Sequence, residues 1–228
     1  LEARTLIFLH GFLGTGEDFA FVDDHFPTDL CLRPNLDQFA LDSFSAFTES
    51  FCDWAKQYPE PRILIGYSLG GRLALHCIKR APNLWSQLIL TSSHTGFPEE
   101  EKQKRLQDDL KWCEKLENQK WDDFLEDWNN QAVFGGKKMH RSSQQPNVPV
   151  LKQMLMNFSL AKQENFAEYI SQSPVPISLI AGELDERYSR LYSQFPKVWL
   201  ASFSAHRVPW EFSLAWITKI KRIIDNEG

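Results

Sequence analysis

Cysteine is sparse: the 228 residues contain four, Cys31, Cys52, Cys77 and Cys113. None forms a C-x-x-C pair or a Cys/His cluster at metal-ligand spacing. A disulfide-stapled scaffold and a zinc module are thereby excluded, and reduced thiols in a cytoplasmic protein are the expectation. No apolar run approaches the about 18 residues that would read as a membrane span, and no signal-peptide pattern is visible. Basic charge is not in excess either, with 25 Lys+Arg against 30 Asp+Glu and a net charge of −5. A general nucleic-acid binder would carry a basic balance or stripe. A small anionic partner is not excluded, since a pocket can hold a few arginines inside an acidic whole. Repeats and low-complexity segments are also missing.

What the sequence does have is a rhythm of short apolar runs. Thr5–Leu9, Arg62–Ile65, Gln87–Thr91, Ile177–Ala181 and the weaker Lys197–Leu200 are continuously, not alternately, hydrophobic. Strands covered on both faces look like this. Helix-length segments separate them. From Ser43 to Gln57, Phe44, Phe47, Phe51, Trp54 and Ala55 make one apolar stripe. Leu69–Lys79 and Glu211–Ile224 are the other two core helices. The alternation predicts an α/β protein with a mostly parallel sheet and helices on both faces. From 97 to 168 the rhythm fails. Pro98 followed by Glu99, Glu100 and Glu101 has the character of a helix start. Leu106, Leu110, Cys113 and Leu116 then recur at helical spacing, followed by Trp121, Phe124, Leu125 and Trp128. This stretch is expected to be a helical lid inserted into a core of residues 1–96 and 169–228. Gly135-Gly136 and the polar stretch Ser142–Pro149 are expected as turns within it.

The chemistry centres on Gly66-Tyr67-Ser68-Leu69-Gly70-Gly71, placed between a strand and a helix. A G-x-S-x-G turn holds its serine in a strained conformation, with glycines allowing strand and helix to approach. The hydroxyl is then presented at a helix N-terminus, where unpaired amides favour developing negative charge. A plain glycine-rich turn is the alternative. His10-Gly11-Phe12-Leu13-Gly14 follows the first strand in the same way. In this fold one oxyanion donor is the amide after the serine, here Leu69, and the second comes from the loop after the first strand, with Phe12 as the candidate. His10 itself is expected to be a buried histidine bonded to backbone, because the base comes later in the chain. The order is serine, acid, histidine. Asp185 follows the fourth run, with Glu183 in reserve, and His206 follows the fifth and is the only histidine after His140. Asp185 would fix the tautomer of His206, and His206 would take the Ser68 proton.

These segments resemble more than a fold. Gly66–Arg72, the His10–Gly14 loop and Ser93-His94-Thr95-Gly96-Phe97 are similar to the 2-succinyl-6-hydroxy-2,4-cyclohexadiene-1-carboxylate synthases of menaquinone and phylloquinone biosynthesis, a family of the α/β-hydrolase fold. The likeness continues through Arg105, Asp108 and Trp112, through Phe124, Trp128, Gln131, Val133 and Phe134, to Arg141, Gly182-Glu183, Asp185, His206 and Glu211. The resemblance implies a lyase that eliminates pyruvate from an enolpyruvyl cyclohexene carboxylate without metal or other cofactor. It implies that Ser68 and His206 abstract a ring proton while Leu69 and Phe12 hold the oxyanion. The substrate carries three carboxylates, and the resemblance offers Arg72, Arg105 and Arg141 for them, with Tyr67 and Trp128 lining the pocket. Each arginine can equally be a surface charge, and Trp128 part of the lid core. Two departures stand out. The D-x-P-G-H-G loop common in the family reads Leu32-Arg33-Pro34-Asn35-Leu36-Asp37 here, and Ala205 precedes His206 where glycine is usual. The rival readings are an ester or thioester hydrolase with Ser68 as nucleophile, and a non-catalytic binding protein on the same scaffold.

Overall fold

A computed structural model describes residues 3–139, 141 and 147–225. Its six strands are β1 (Thr5–Leu9), β2 (Leu30–Leu32), β3 (Arg62–Tyr67), β4 (Gln87–Thr91), β5 (Ile177–Gly182) and β6 (Val198–Ala201). They form one parallel sheet in the order β2-β1-β3-β4-β5-β6. Every residue of β1 and β3 is buried, which is why both read as unbroken apolar runs. Side chains still alternate between faces. Ile7 and Leu9 of β1 meet one layer of helices, α1 (Phe44–Ala55) and α2 (Leu69–Arg80), through Phe47, Phe51, Leu73 and Ile78. Leu6 and Phe8 meet the other layer, where Phe19 packs with Trp216, Ile217 and Ile220. Each such side chain contributes roughly 1.5–3 kcal/mol by full burial. Ser43 caps α1, its hydroxyl accepting the Ala46 amide, so the apolar stripe begins where the sequence places it.

The sheet order reverses between β1 and β3, and the chains leaving those strands diverge to opposite faces. In open parallel sheets the crevice beyond the carboxyl ends at such a point is where ligands bind. Between β4 and β5 the described chain is helical: α3 (Glu99–Asn118), α4 (Trp121–Asn129), α5 (Val148–Asn157) and α6 (Ala167–Gln172). The two feet of this insertion are joined, for the Phe166 amide donates to Thr95 O and Gln163 Nε2 to His94 O. Cys113, Leu116, Phe124 and Leu155 form a small core of its own, against which Phe12 and Leu13 pack from the loop after β1. The insertion therefore rests on the carboxyl end of the sheet.

Three details differ from expectation. β2 was not anticipated; it lies at the sheet edge and is only half-buried, and its apolar run, Leu30-Cys31-Leu32, is too short to mark a strand. The last helix is broken at Phe212 into α8 (Val208–Glu211), a single turn with Pro209 at its start, and α9 (Ser213–Ile224); α7 (Glu186–Tyr192) links β5 to β6. Of the polar stretch expected as a turn, 142–146 lie outside the described residues, while Val148-Pro149 opens α5.

Candidate active site

Ser68 joins β3 to α2 with φ 50° and ψ −112°, a strained conformation for a residue with a side chain. Its amide donates to Thr91 O (3.0 Å), and its carbonyl accepts the Arg72 amide (3.1 Å). The tightness explains the glycines. A Cβ on Gly70 would lie 2.3 Å from Leu9 O, and one on Gly66 would lie 2.4 Å from the Gly71 Cα. The loop after β1 abuts the same turn, since a Cβ on Gly11 would stand 3.4 Å from that of Ser68. Among the described residues neither the Leu69 nor the Phe12 amide donates a hydrogen bond to the protein.

Asp185 and His206 arrive from β5 and β6. His206 Nδ1 is 2.8 Å from Asp185 Oδ2, and His206 Nε2 is 3.2 Å from Ser68 Oγ. The other oxygen of Asp185 accepts the Tyr188 amide and caps α7 (3.2 Å), which fixes the carboxylate. With Nδ1 facing a buried carboxylate, the proton is assigned to Nδ1 and Nε2 is left to accept from the serine. The rings of Tyr188, Tyr67 and Phe134 surround the imidazole at 4.8, 5.6 and 5.7 Å. Glu183, the reserve acid, is exposed. His10 is the buried backbone partner expected of it: Nδ1 faces Gly11 O and Nε2 accepts the Leu36 amide. Burial lowers its pKa and keeps it neutral. Leu36 belongs to the segment Leu32–Asp37, and Asn35 of that segment accepts the Gly16 amide.

A cavity of about 790 Å³ opens over Ser68, lined also by Tyr67, Leu69, Phe12, Trp128, Asp185 and His206. Arg72, Arg105, Arg141, Arg187 and Arg207 line it too. These guanidinium groups fall into two sets. Arg72, Arg105 and Arg187 act together on His94 and Tyr188. Arg72 bonds only neutral acceptors, Phe158 O (2.7 Å) and Gln163 Oε1 (3.1 Å), so its charge is not compensated there. Burial and the neighbouring Arg105 bring its pKa down to about 10. Arg105 is paired with Asp109, which is buried and also accepts the Ser159 hydroxyl. In the second set, Arg141 is paired with Asp18, and Arg207 bonds Lys137 O and Asn129 Oδ1 at 2.7 Å each. Both bear on the buried Tyr67 hydroxyl, whose pKa burial raises. Trp128 is lining and insertion core at once, edge-on to Trp112 (4.8 Å) and tilted against Phe12 (5.0 Å). Arg187, Arg207, Asn129 and Tyr188 were missed in the sequence. Only one signal pointed to the two arginines: they stand two residues after Asp185 and immediately after His206. No cluster of three or more His, Cys, Asp or Glu able to hold a metal occurs among the described residues.

No family model matches the chain. A Haemophilus influenzae protein named as a 2-succinyl-6-hydroxy-2,4-cyclohexadiene-1-carboxylate synthase is 31% identical over 208 residues, covering 82% of this chain and 83% of that protein. A Yersinia pestis protein of the same name is 28% identical over 210 residues, covering 83% of this chain and 75% of its own length. The solved structure of MenH from S. aureus superposes with a TM-score of 0.89 at 24% identity, over 100% of this chain and 96% of that one.

Proposed function

Because this chain belongs to the 2-succinyl-6-hydroxy-2,4-cyclohexadiene-1-carboxylate synthase family, on the α/β-hydrolase fold, we propose that it is the lyase eliminating pyruvate from 2-succinyl-5-enolpyruvyl-6-hydroxy-3-cyclohexene-1-carboxylate. The hydrogen on ring C2 is acidified by the ketone of the succinyl group. Ser68 Oγ takes that proton as its own passes to His206 Nε2, and Asp185 stabilises the imidazolium that forms. The electron pair moves onto the ketone oxygen, which the Leu69 and Phe12 amides hold. Its return forms C2=C3, shifts the ring double bond to C4=C5 and breaks the C5–O bond. The leaving enolpyruvate oxygen recovers the proton from the Ser68–His206 pair, so no net charge is left on the protein.

The observation that carries this reading is the contact chain Asp185–His206–Ser68 beneath a cavity lined by arginines. Three substrate carboxylates need cations, and the two sets of guanidinium groups offer them on separate walls, with Arg72 and Arg105 on one and Arg141 on the other. Tyr67 and Trp128 supply flat walls for the ring. In this reading the helical insertion, residues 97–168, is a lid that excludes water from the enolate. No helix among the described residues is long and apolar enough to cross a membrane. The free thiols of Cys31, Cys52, Cys77 and Cys113 support a reducing, cytoplasmic setting. The test is pyruvate release from the enolpyruvyl intermediate, run beside a panel of acyl esters and thioesters. Pyruvate formation with inert esters is the expected result. Rapid ester hydrolysis without pyruvate would establish the hydrolase reading, and tight binding with no turnover of either would establish a binding protein.

A further inference from the structure

His206 sits in an irregular segment. β6 ends at Ala201 and α8 begins at Val208, so no ladder or helix holds the six residues between. One side of this segment is tied to the loop after β5, where Ser204 O accepts the Leu184 amide (2.8 Å). The other side is held by a single carboxylate. Glu211 Oε2 accepts the Ala205 amide at 2.7 Å, and Glu211 Oε1 accepts the Arg207 amide at 3.0 Å. These are the backbone groups immediately before and after the catalytic imidazole. The same Oε2 also receives Lys137 Nζ (2.7 Å), which reaches across from the insertion and also donates to Phe203 O. Arg207 closes the circuit by donating to Lys137 O while its guanidinium lies 3.7 Å from the Phe134 ring centroid. The Glu211 side chain is 8% exposed.

We propose that Glu211 is a positioning residue: its carboxylate brackets His206 by the two flanking amides and links the placement of the base to the seating of the insertion. Two charge-assisted bonds to one short loop fix both its position and its rotation. The distance they protect is the 3.2 Å contact of His206 Nε2 with Ser68 Oγ. Glu211 does not itself line the cavity and bonds none of the side chains of Ser68, Asp185 and His206, so it acts through the backbone on either side of His206. The inference rests on the reading of His206 as the base.

Two measurements on the whole protein test it. In steady-state pyruvate release, Glu211→Ala lowers kcat by about 10- to 100-fold while KM stays within about three-fold, as a displaced base does. Glu211→Gln falls between, because its carbonyl oxygen replaces only one of the two carboxylate oxygens and its NH2, a donor, faces the other flanking amide. Lys137→Met breaks the ion pair, keeps both amide bonds and lowers kcat less than Glu211→Gln. Proton NMR of the resting protein provides a readout independent of turnover. The low-field resonance of the His206 Nδ1 proton, assigned by its loss in Asp185→Asn, broadens or disappears in Glu211→Ala. If Glu211→Ala folds with wild-type kcat, or keeps that resonance sharp, the proposal is overturned. A wild-type protein that releases no pyruvate would instead overturn the lyase reading, and the resonance would still report on the bracket.

Discussion

Ser68, Asp185 and His206 stand at the carboxyl ends of sheet strands, whereas Arg105, Trp128, Asn129 and Arg141 stand on the insertion. The two regions differ in how firmly they hold their residues. Beneath the first three lies a sheet buried on both faces, with Ser68 held in its strained turn by backbone contacts at Gly66 and Gly70. The insertion has a small core of its own, the buried Cys113, Leu116, Phe124 and Leu155, and its arginines are held by acids such as Asp109 and Asp18. Under the proposed function the difference amounts to a division of labour: the sheet would set the geometry of proton transfer, and the insertion what is admitted to it.

Several substitutions break or sharpen that division. The largest effect belongs to the sheet: Ser68→Ala lowers kcat by about 10³-fold or more and leaves KM nearly unchanged, measured by pyruvate release. Next come the cations. Arg105→Met raises KM by about 10- to 100-fold, the cost of one charge-assisted bond to a carboxylate, with a smaller change in kcat. Arg72→Met sharpens the comparison, because Arg72 grows from a core helix yet bonds the insertion through Phe158 O and Gln163. If its loss moves KM as Arg105 does, the boundary is set by what a side chain faces and not by where it is rooted. Trp128→Leu should raise KM by only a few-fold, since Phe12, Val133 and Phe134 remain to wall the cavity.

The smallest effect concerns stability alone. Burial and nearby cations hold His76 and His94 at pKa values of about 3, below the 6.5 of a free imidazole. Between pH 6.5 and 3 the unfolded chain therefore binds protons that the folded chain refuses. Stability is fullest above pH 6.5 and declines as pH falls toward 3. His76 stacks on Phe44 and meets Phe166 edge-on, so His76→Leu keeps an apolar group there and removes its share of the decline. Its Tm, compared with the parent's at pH 7 and pH 4.5, should compare more favourably at the lower value.

Much of the sheet region was legible in the amino-acid sequence because its physics is local. A strand covered on both faces is apolar along its centre, as β1 and β3 are after Thr5 and Arg62, and a serine turn between strand and helix needs its glycines within a few residues. β2 escaped notice since it is a three-residue strand at the sheet edge, only half-buried and too short to show a pattern. The insertion was legible only as a stretch without strands. Whether Arg72, Arg105 and Arg141 face a cavity or solvent depends on contacts between residues far apart, such as Arg141 with Asp18, which no periodicity records. Arg187 and Arg207 were missed for the same reason, and Glu211 showed itself only as a match in the family pattern, without a role.

The central claim, that Ser68 and His206 remove a ring proton and form no bond to carbon, can be tested in a single-turnover experiment. Substrate carrying deuterium at ring C2 is mixed with excess enzyme, and pyruvate release is followed beside the intact mass of the protein. Slower release than from the undeuterated substrate, with the protein mass unchanged throughout, is the predicted result. Equal rates for the two substrates, together with an acyl group appearing on Ser68, would contradict it.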